Sequence, residues 1–106
     1  MPKYLFEGHY NHEGAKALAS EGGSGRRDAV RKTVEGLGGK LEALYFAFGD
    51  VDAYVIVELP DNVSAAAVSL AVNQTGVVSI KSVVLMTPEE MDAARTKAVD
   101  YRPPGG

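Results

Sequence analysis

Residues Gly38 to Leu59 read GGKLEALYFAFGDVDAYVIVEL, and Pro60 follows directly. Two apolar runs flank Gly49-Asp50-Val51-Asp52. Glycine and aspartate favour tight turns, and proline cannot donate to a strand ladder. The stretch therefore predicts a β-hairpin, with strands over about Lys40–Phe48 and Asp52–Leu59.

Upstream of the hairpin, Val30, Val34 and Leu37 form an apolar stripe at helical spacing, predicting a helix over about Arg26–Leu37 that Gly38-Gly39 ends. Glu21-Gly22-Gly23-Ser24-Gly25 predicts a loop, because glycine is a poor helix former. Before it, Asn11 can cap a short helix over about His12–Ala19. Tyr4, Phe6 and Tyr10 recur at even spacing with Gly8 among them, predicting a first strand over Lys3–Tyr10.

Downstream, Asp61 or Asn62 caps a helix over about Val63–Gln74 that Gly76 stops. Val77–Met86 reads as the last strand. Thr87-Pro88-Glu89-Glu90 has the pattern of a capping box with proline at the first helical position, opening a helix over about Pro88–Val99. Residues 1–100 read as one domain and 101–106 as a flexible tail. The order β-α-β-β-α-β plus a C-terminal helix predicts an α+β, ferredoxin-like fold. Its four-stranded antiparallel sheet carries both main helices on one face.

That arrangement leaves the opposite face uncovered. Strand alternation turns Ala53, Val55, Val57 and Leu59 toward the helices, with Leu44, Phe46 and Phe48. Val78, Ile80 and Val84 join them. Tyr54, Ile56 and Glu58 face away, with Ala43, Tyr45, Ala47, Leu5, Glu7, His9, Lys81, Val83 and Leu85. The open face is mostly apolar, with Glu7, His9, Tyr45, Tyr54, Glu58 and Lys81 as its polar groups. A soluble monomer seldom exposes such a patch. A second copy of the chain, sheet against sheet, is the expected cover.

The chain has 106 residues, a formal net charge of −3 and no cysteine. The acidic balance argues against nucleic acid as a partner. The basic group Arg26, Arg27, Arg31 and Lys32 is diluted by Asp28 and Glu35 and reads as a solvated helix face. Without cysteine there is no disulfide or thiol chemistry, which suits a reducing compartment. No segment has the length or apolarity of a signal peptide or membrane span, so the cytoplasm is the expected location.

Several of these stretches resemble the GYD domain family, small proteins of the dimeric α/β-barrel group. The resemblance rests on Tyr4-Leu5-Phe6, Leu37-Gly38-Gly39-Lys40, Tyr45-Phe46, Gly49-Asp50-Val51-Asp52 and Val55-Ile56-Val57-Glu58-Leu59-Pro60-Asp61. It covers nearly the whole chain. Gly49 and Asp52 match the family motif, whereas Val51 stands where tyrosine is expected, so any role of that hydroxyl is absent. The resemblance implies the ferredoxin-like fold and a dimeric α/β barrel. It supplies no agreed reaction, and fold alone does not dictate one.

Candidate chemistry competes with plainer readings. His9 and His12, near Glu7 and Glu13, are too few and too scattered to specify a metal site. His9 could act as a general base. Glu7, Glu58 and Lys81 could meet as a ligand anchor or as a structural ion pair at the interface. Asp50 and Asp52 read as turn residues. Gly22–Arg27 precedes a helix but lacks the lysine and hydroxyl of a phosphate loop, so it reads as a connector. No cofactor motif is present, and none is expected. Two functions follow as expectations. The first is a homo-oligomer of uncharacterised activity that holds a small ligand between paired sheets, on Glu7, His9, Tyr45, Tyr54, Glu58 and Lys81. The alternative is a cofactor-independent monooxygenase or isomerase acting on a small aromatic substrate through His9, Tyr45 or Tyr54.

Overall fold

The structure is a computed structural model that describes residues 1–106. Its elements run β1 (Lys3–Tyr10), α1 (His12–Glu21), α2 (Gly23–Gly36), β2 (Lys40–Phe46), β3 (Ala53–Glu58), α3 (Asn62–Asn73), β4 (Val78–Leu85) and α4 (Pro88–Arg95). All strand pairs are antiparallel, in the order β2-β3-β1-β4. This is the α+β, ferredoxin-like arrangement expected from the element order.

Local capping explains most of the boundaries. Asn11 accepts the Gly14 N–H at 2.9 Å, and its side-chain amide donates to the Gly76 carbonyl at 2.8 Å, which ties the start of α1 to the turn between α3 and β4. Asp61 accepts the Ser64 N–H at 2.8 Å at the start of α3. Thr87 and Glu90 form the reciprocal capping box of α4.

Three expectations need correction. The glycine-rich stretch is not a loop. Gly22 alone breaks the chain, at φ +87°, where its N–H reaches the Leu18 carbonyl at 2.8 Å, and α2 begins at Gly23. Glycine's weak helix propensity, about 1 kcal/mol per residue, yields here to packing. A Cβ at Gly23 would stand 3.2 Å from the Phe46 ring, so glycine lets the helix start lie close on β2. Phe48 does not face inward but is fully exposed. Pairing of β2 with β3 ends at Phe46 and Ala53, and Asp52 is drawn toward β1. Finally, α4 stops at Arg95, short of Val99. A helix that packs on nothing gains little from propagating further.

The core lies between the sheet and the helices, with Tyr4, Phe6, Val34, Val57, Leu59, Ala65 and Val68 at its centre. Tyr4 is fully buried, and its hydroxyl donates to Asn62 Oδ1 at 2.6 Å. This core is small, at 10 buried residues of 106. The accessible surface is 7372 Å², against roughly 5,700 Å² for a compact monomer of this length. The radius of gyration is 16.7 Å, against about 13 Å for a compact chain. The excess has three sources. The α4 segment and tail are exposed throughout, α2 and α3 scarcely touch, and the far side of the sheet carries no helix.

Candidate functional site

Strand register arranges the open face in rows. Glu7 stands opposite Lys81 on one side and Tyr54 on the other, and Tyr54 stands opposite Tyr45. Lys81, Glu7, Tyr54 and Tyr45 therefore form one polar and aromatic row across all four strands. The next row is apolar, with Val83, Leu5, Ile56 and Ala43. Tyr45 is 71% exposed, Val83 40% and Tyr54 39%, so the protomer leaves a good part of each open to solvent.

Beyond the apolar row lies an ionic cluster that alternation alone misses. Lys3 pairs closely with Glu42 and approaches Glu58 at 3.8 Å. A β-bulge between Leu41 and Ala43 inserts Glu42 and brings its carboxylate within reach of Lys3. The Glu42 hydrogen bond, aided by the charges of Glu42 and Glu58, holds the Lys3 ammonium above its ordinary pKa. The expected meeting of Glu7, Glu58 and Lys81 is thereby divided. Glu7 opposes Lys81, while Glu58 opposes Lys3. Along β3, Glu58 lies about 13 Å from the Tyr54 row, at ~3.3 Å per residue. His9 stands opposite Ser79 at the far end of β1, beside a shallow hollow shared with Asn11. His12 opens α1, and no group of three His, Asp or Glu side chains converges to hold a metal ion.

A larger space than the hollow beside His9 lies on the other side of the sheet. Between α2 and α3 lies a crevice of about 320 Å³, floored by Phe6, Gly8, Ala53, Val55 and Ile80 and walled by Val30, Val34, Val68 and Val72. None of the six residues expected to bind a ligand lines it. It exists because α2 packs over β2 and α3 over β4, at opposite edges of the sheet. Glycine, alanine and valine side chains are too short to fill the gap. The sequence signal was the concentration of small residues in α3 (SAAAVSLAV) together with Gly8 and Ala53.

Four polar residues also line the crevice: Tyr10, Arg26, Thr33 and Thr75. Thr33 donates its hydroxyl to the Ala29 carbonyl at 3.1 Å, and Thr75 donates to Val72 at 2.8 Å. Both hydroxyl protons are thus already used. Arg26 sits 3.5 Å from the Glu21 carboxylate, with its side chain 38% exposed. Burial pushes the Tyr10 phenol above its ordinary pKa. The nearby Arg26 charge pulls it down, and Glu21 and Asp52 push it up. Deeply apolar, with a few convergent polar groups, the crevice has the character of a small-molecule site.

The hairpin loop adds its own tie. Asp52 Oδ2 accepts the Tyr10 N–H at 2.8 Å, the Asp52 N–H reaches the Gly8 carbonyl at 2.9 Å, and the Ala47 N–H reaches the Asp52 carbonyl at 2.9 Å. The sequence model of the GYD domain matches residues 4–94.

The chain belongs to the GYD domain family.

In this GYD protein the motif aspartate is a structural tie between the hairpin loop and β1. No curated protein and no solved structure matches the chain. No helix is long and apolar enough to cross a membrane.

Proposed function

We propose that this GYD protein is a homo-oligomeric small-molecule-binding protein. Two copies pair their open sheet faces, and each copy holds a small apolar ligand. The observation that carries the binding reading is the crevice between α2 and α3, an apolar space of about 320 Å³ left open in an otherwise folded protomer. A void of that size in a core this small costs packing energy, which a ligand would restore. The sheet pairing draws on the apolar row Val83-Leu5-Ile56-Ala43, bordered by the Lys81-Glu7-Tyr54-Tyr45 row. Ordinary stable interfaces bury about 800 Å² per partner, well within the excess surface of this protomer.

Native mass spectrometry of protein from its own host tests both parts together. The expected result is a dimer or a multiple of it, with a small molecule retained per chain. A monomer at micromolar concentration removes the pairing, and repeated isolation free of any small molecule, with no ligand found on screening, removes the binding.

A second reading is cofactor-independent chemistry on a small aromatic substrate at the open face. It draws on His9 sharing that face with Tyr54 and Tyr45, beside a hollow open to solvent. Turnover of such a substrate by His9→Ala and Tyr54→Phe proteins at the parent rate would falsify it.

A further inference from the structure

We propose that the crevice between α2 and α3 takes a small amphipathic carboxylate, its hydrocarbon part among the valines and its carboxylate on Arg26 and the Tyr10 hydroxyl. This rests on the crevice being the ligand site, and adds the chemical class of the ligand.

The size sets the first limit. At about 30 Å³ per water-sized group, a cavity of about 320 Å³ accommodates roughly ten non-hydrogen atoms. The lining sets the second. Val30, Val34, Val55, Val68, Val72 and Ile80 offer no polar atom from their side chains, so most of the ligand must be hydrocarbon. The polar groups set the third. The Thr33 and Thr75 hydroxyl protons are used within their own helix or its cap. That leaves Arg26 and Tyr10 as the donors lining the space. The Tyr10 phenol carries its proton at neutral pH and can donate it, and burial pushes its pKa further up. The Glu21 carboxylate lies 3.5 Å from Arg26 Nη1, too long for a strong hydrogen bond, and a guanidinium carries five N–H donors in a planar fork. Room remains for a second carboxylate, and the fork matches one well. A cationic head would meet the repulsion of Arg26. A neutral alcohol could accept one guanidinium N–H, but it brings neither the negative charge nor the second oxygen that the fork matches. Charge complementarity and size together select a short-chain or arylalkyl carboxylate of the size of octanoate.

The test is a titration of methyl-labelled full-length protein with octanoate and, separately, 1-octanol, followed by NMR. Octanoate should shift the methyls of Val30, Val34, Val55, Val68, Val72 and Ile80, and leave those of Leu5, Ile56 and Val83 on the open face in place. It should bind about tenfold more tightly than 1-octanol, and Arg26→Met should erase that preference. Arg26→Lys, which keeps the charge but not the fork, should retain part of it. Equal binding of octanoate and 1-octanol at the crevice methyls, or an unchanged preference in Arg26→Met, would overturn the carboxylate assignment and leave the crevice as the site. Shifts confined to the open face, or none with either probe up to their solubility limits, would overturn the crevice itself. A Val72→Phe protein, whose ring occupies the space, should lose octanoate binding while keeping its dispersed spectrum. Undiminished binding there would also overturn the site.

Discussion

The Asp52 carboxylate accepts the backbone N–H of Tyr10 at 2.8 Å, across 42 residues of sequence. This bond fastens the hairpin loop to the end of β1 at Tyr10, one of the residues that line the crevice. Asp52→Ala leaves the Tyr10 amide, part-buried, without its acceptor. The expected cost is about 1–3 kcal/mol, seen as a fall in melting temperature of roughly 4–8 °C per kcal/mol for a domain of this size. Asp52→Asn keeps an acceptor oxygen and should cost less than half as much. Equal melting temperatures for the parent and Asp52→Ala would show that the bond contributes nothing.

Two glycines should respond in opposite directions to alanine. A Cβ at Gly14 would lie 2.3 Å from the Val77 carbonyl oxygen, which is backbone and cannot swing away. Gly14→Ala should cost about 3 kcal/mol or prevent folding. Gly36, at the end of α2, has no atom within 4 Å of the added methyl beyond its chain neighbours and its own helix backbone. Gly36→Ala should be neutral or stabilise by up to about 1 kcal/mol, through the narrower unfolded ensemble. Denaturant melts of the two proteins give the comparison.

Acid should loosen the start of α3. The Ser64 backbone N–H, and then its hydroxyl, hold the Asp61 carboxyl below its ordinary pKa of 3.8. A depressed folded-state value contributes stability that is present above the unfolded pKa and is lost as pH falls through the folded one. Part of the loss of stability below about pH 4 is therefore assigned to Asp61. Asp61→Asn retains the capping oxygen without the titration. Its stability should fall less steeply between pH 5 and pH 2, as read by melting temperature against pH. Identical slopes in the two proteins would rule Asp61 out.

The C-terminal segment should be dispensable for the fold. Every residue from Pro88 onward is exposed, Met91, Val99 and Tyr101 included. Ending the chain after Met86 should change the melting temperature by no more than the equivalent of ~1 kcal/mol, since no core contact is lost. The helical signal in circular dichroism should fall by about the contribution of α4. Loss of folding on truncation would mean that the segment is packed in the assembled protein.

Charge on the apolar row should separate copies. Ile56 lies at the centre of the open face, between Leu5 and Ala43. Ile56→Glu should convert a sheet-paired dimer to monomer in sedimentation velocity at micromolar concentration, because an unpaired carboxylate cannot be buried there cheaply. A variant that stays dimeric would place the contact elsewhere, and a parent protein that is already monomeric would remove the pairing.

Much of this could be read from the chain alone. The caps at Asn11, Asp61 and Thr87, the proline after β3 and the period-two alternation around Tyr54 and Ile56 are all local signals. They set the element order and sorted side chains between the helix-bearing and open faces, because each depends on neighbours within a few residues. What local signals could not supply was partnership. Glu58 meets Lys3 rather than Lys81 because register and the bulge at Glu42 are settled by pairing between distant strands. Phe48 points to solvent because Asp52 is drawn to β1. The crevice depends on how far apart α2 and α3 settle over the sheet. That spacing is the outcome of all the side-chain volumes between them, so only the folded chain could reveal a space there and the Arg26 and Tyr10 groups that line it.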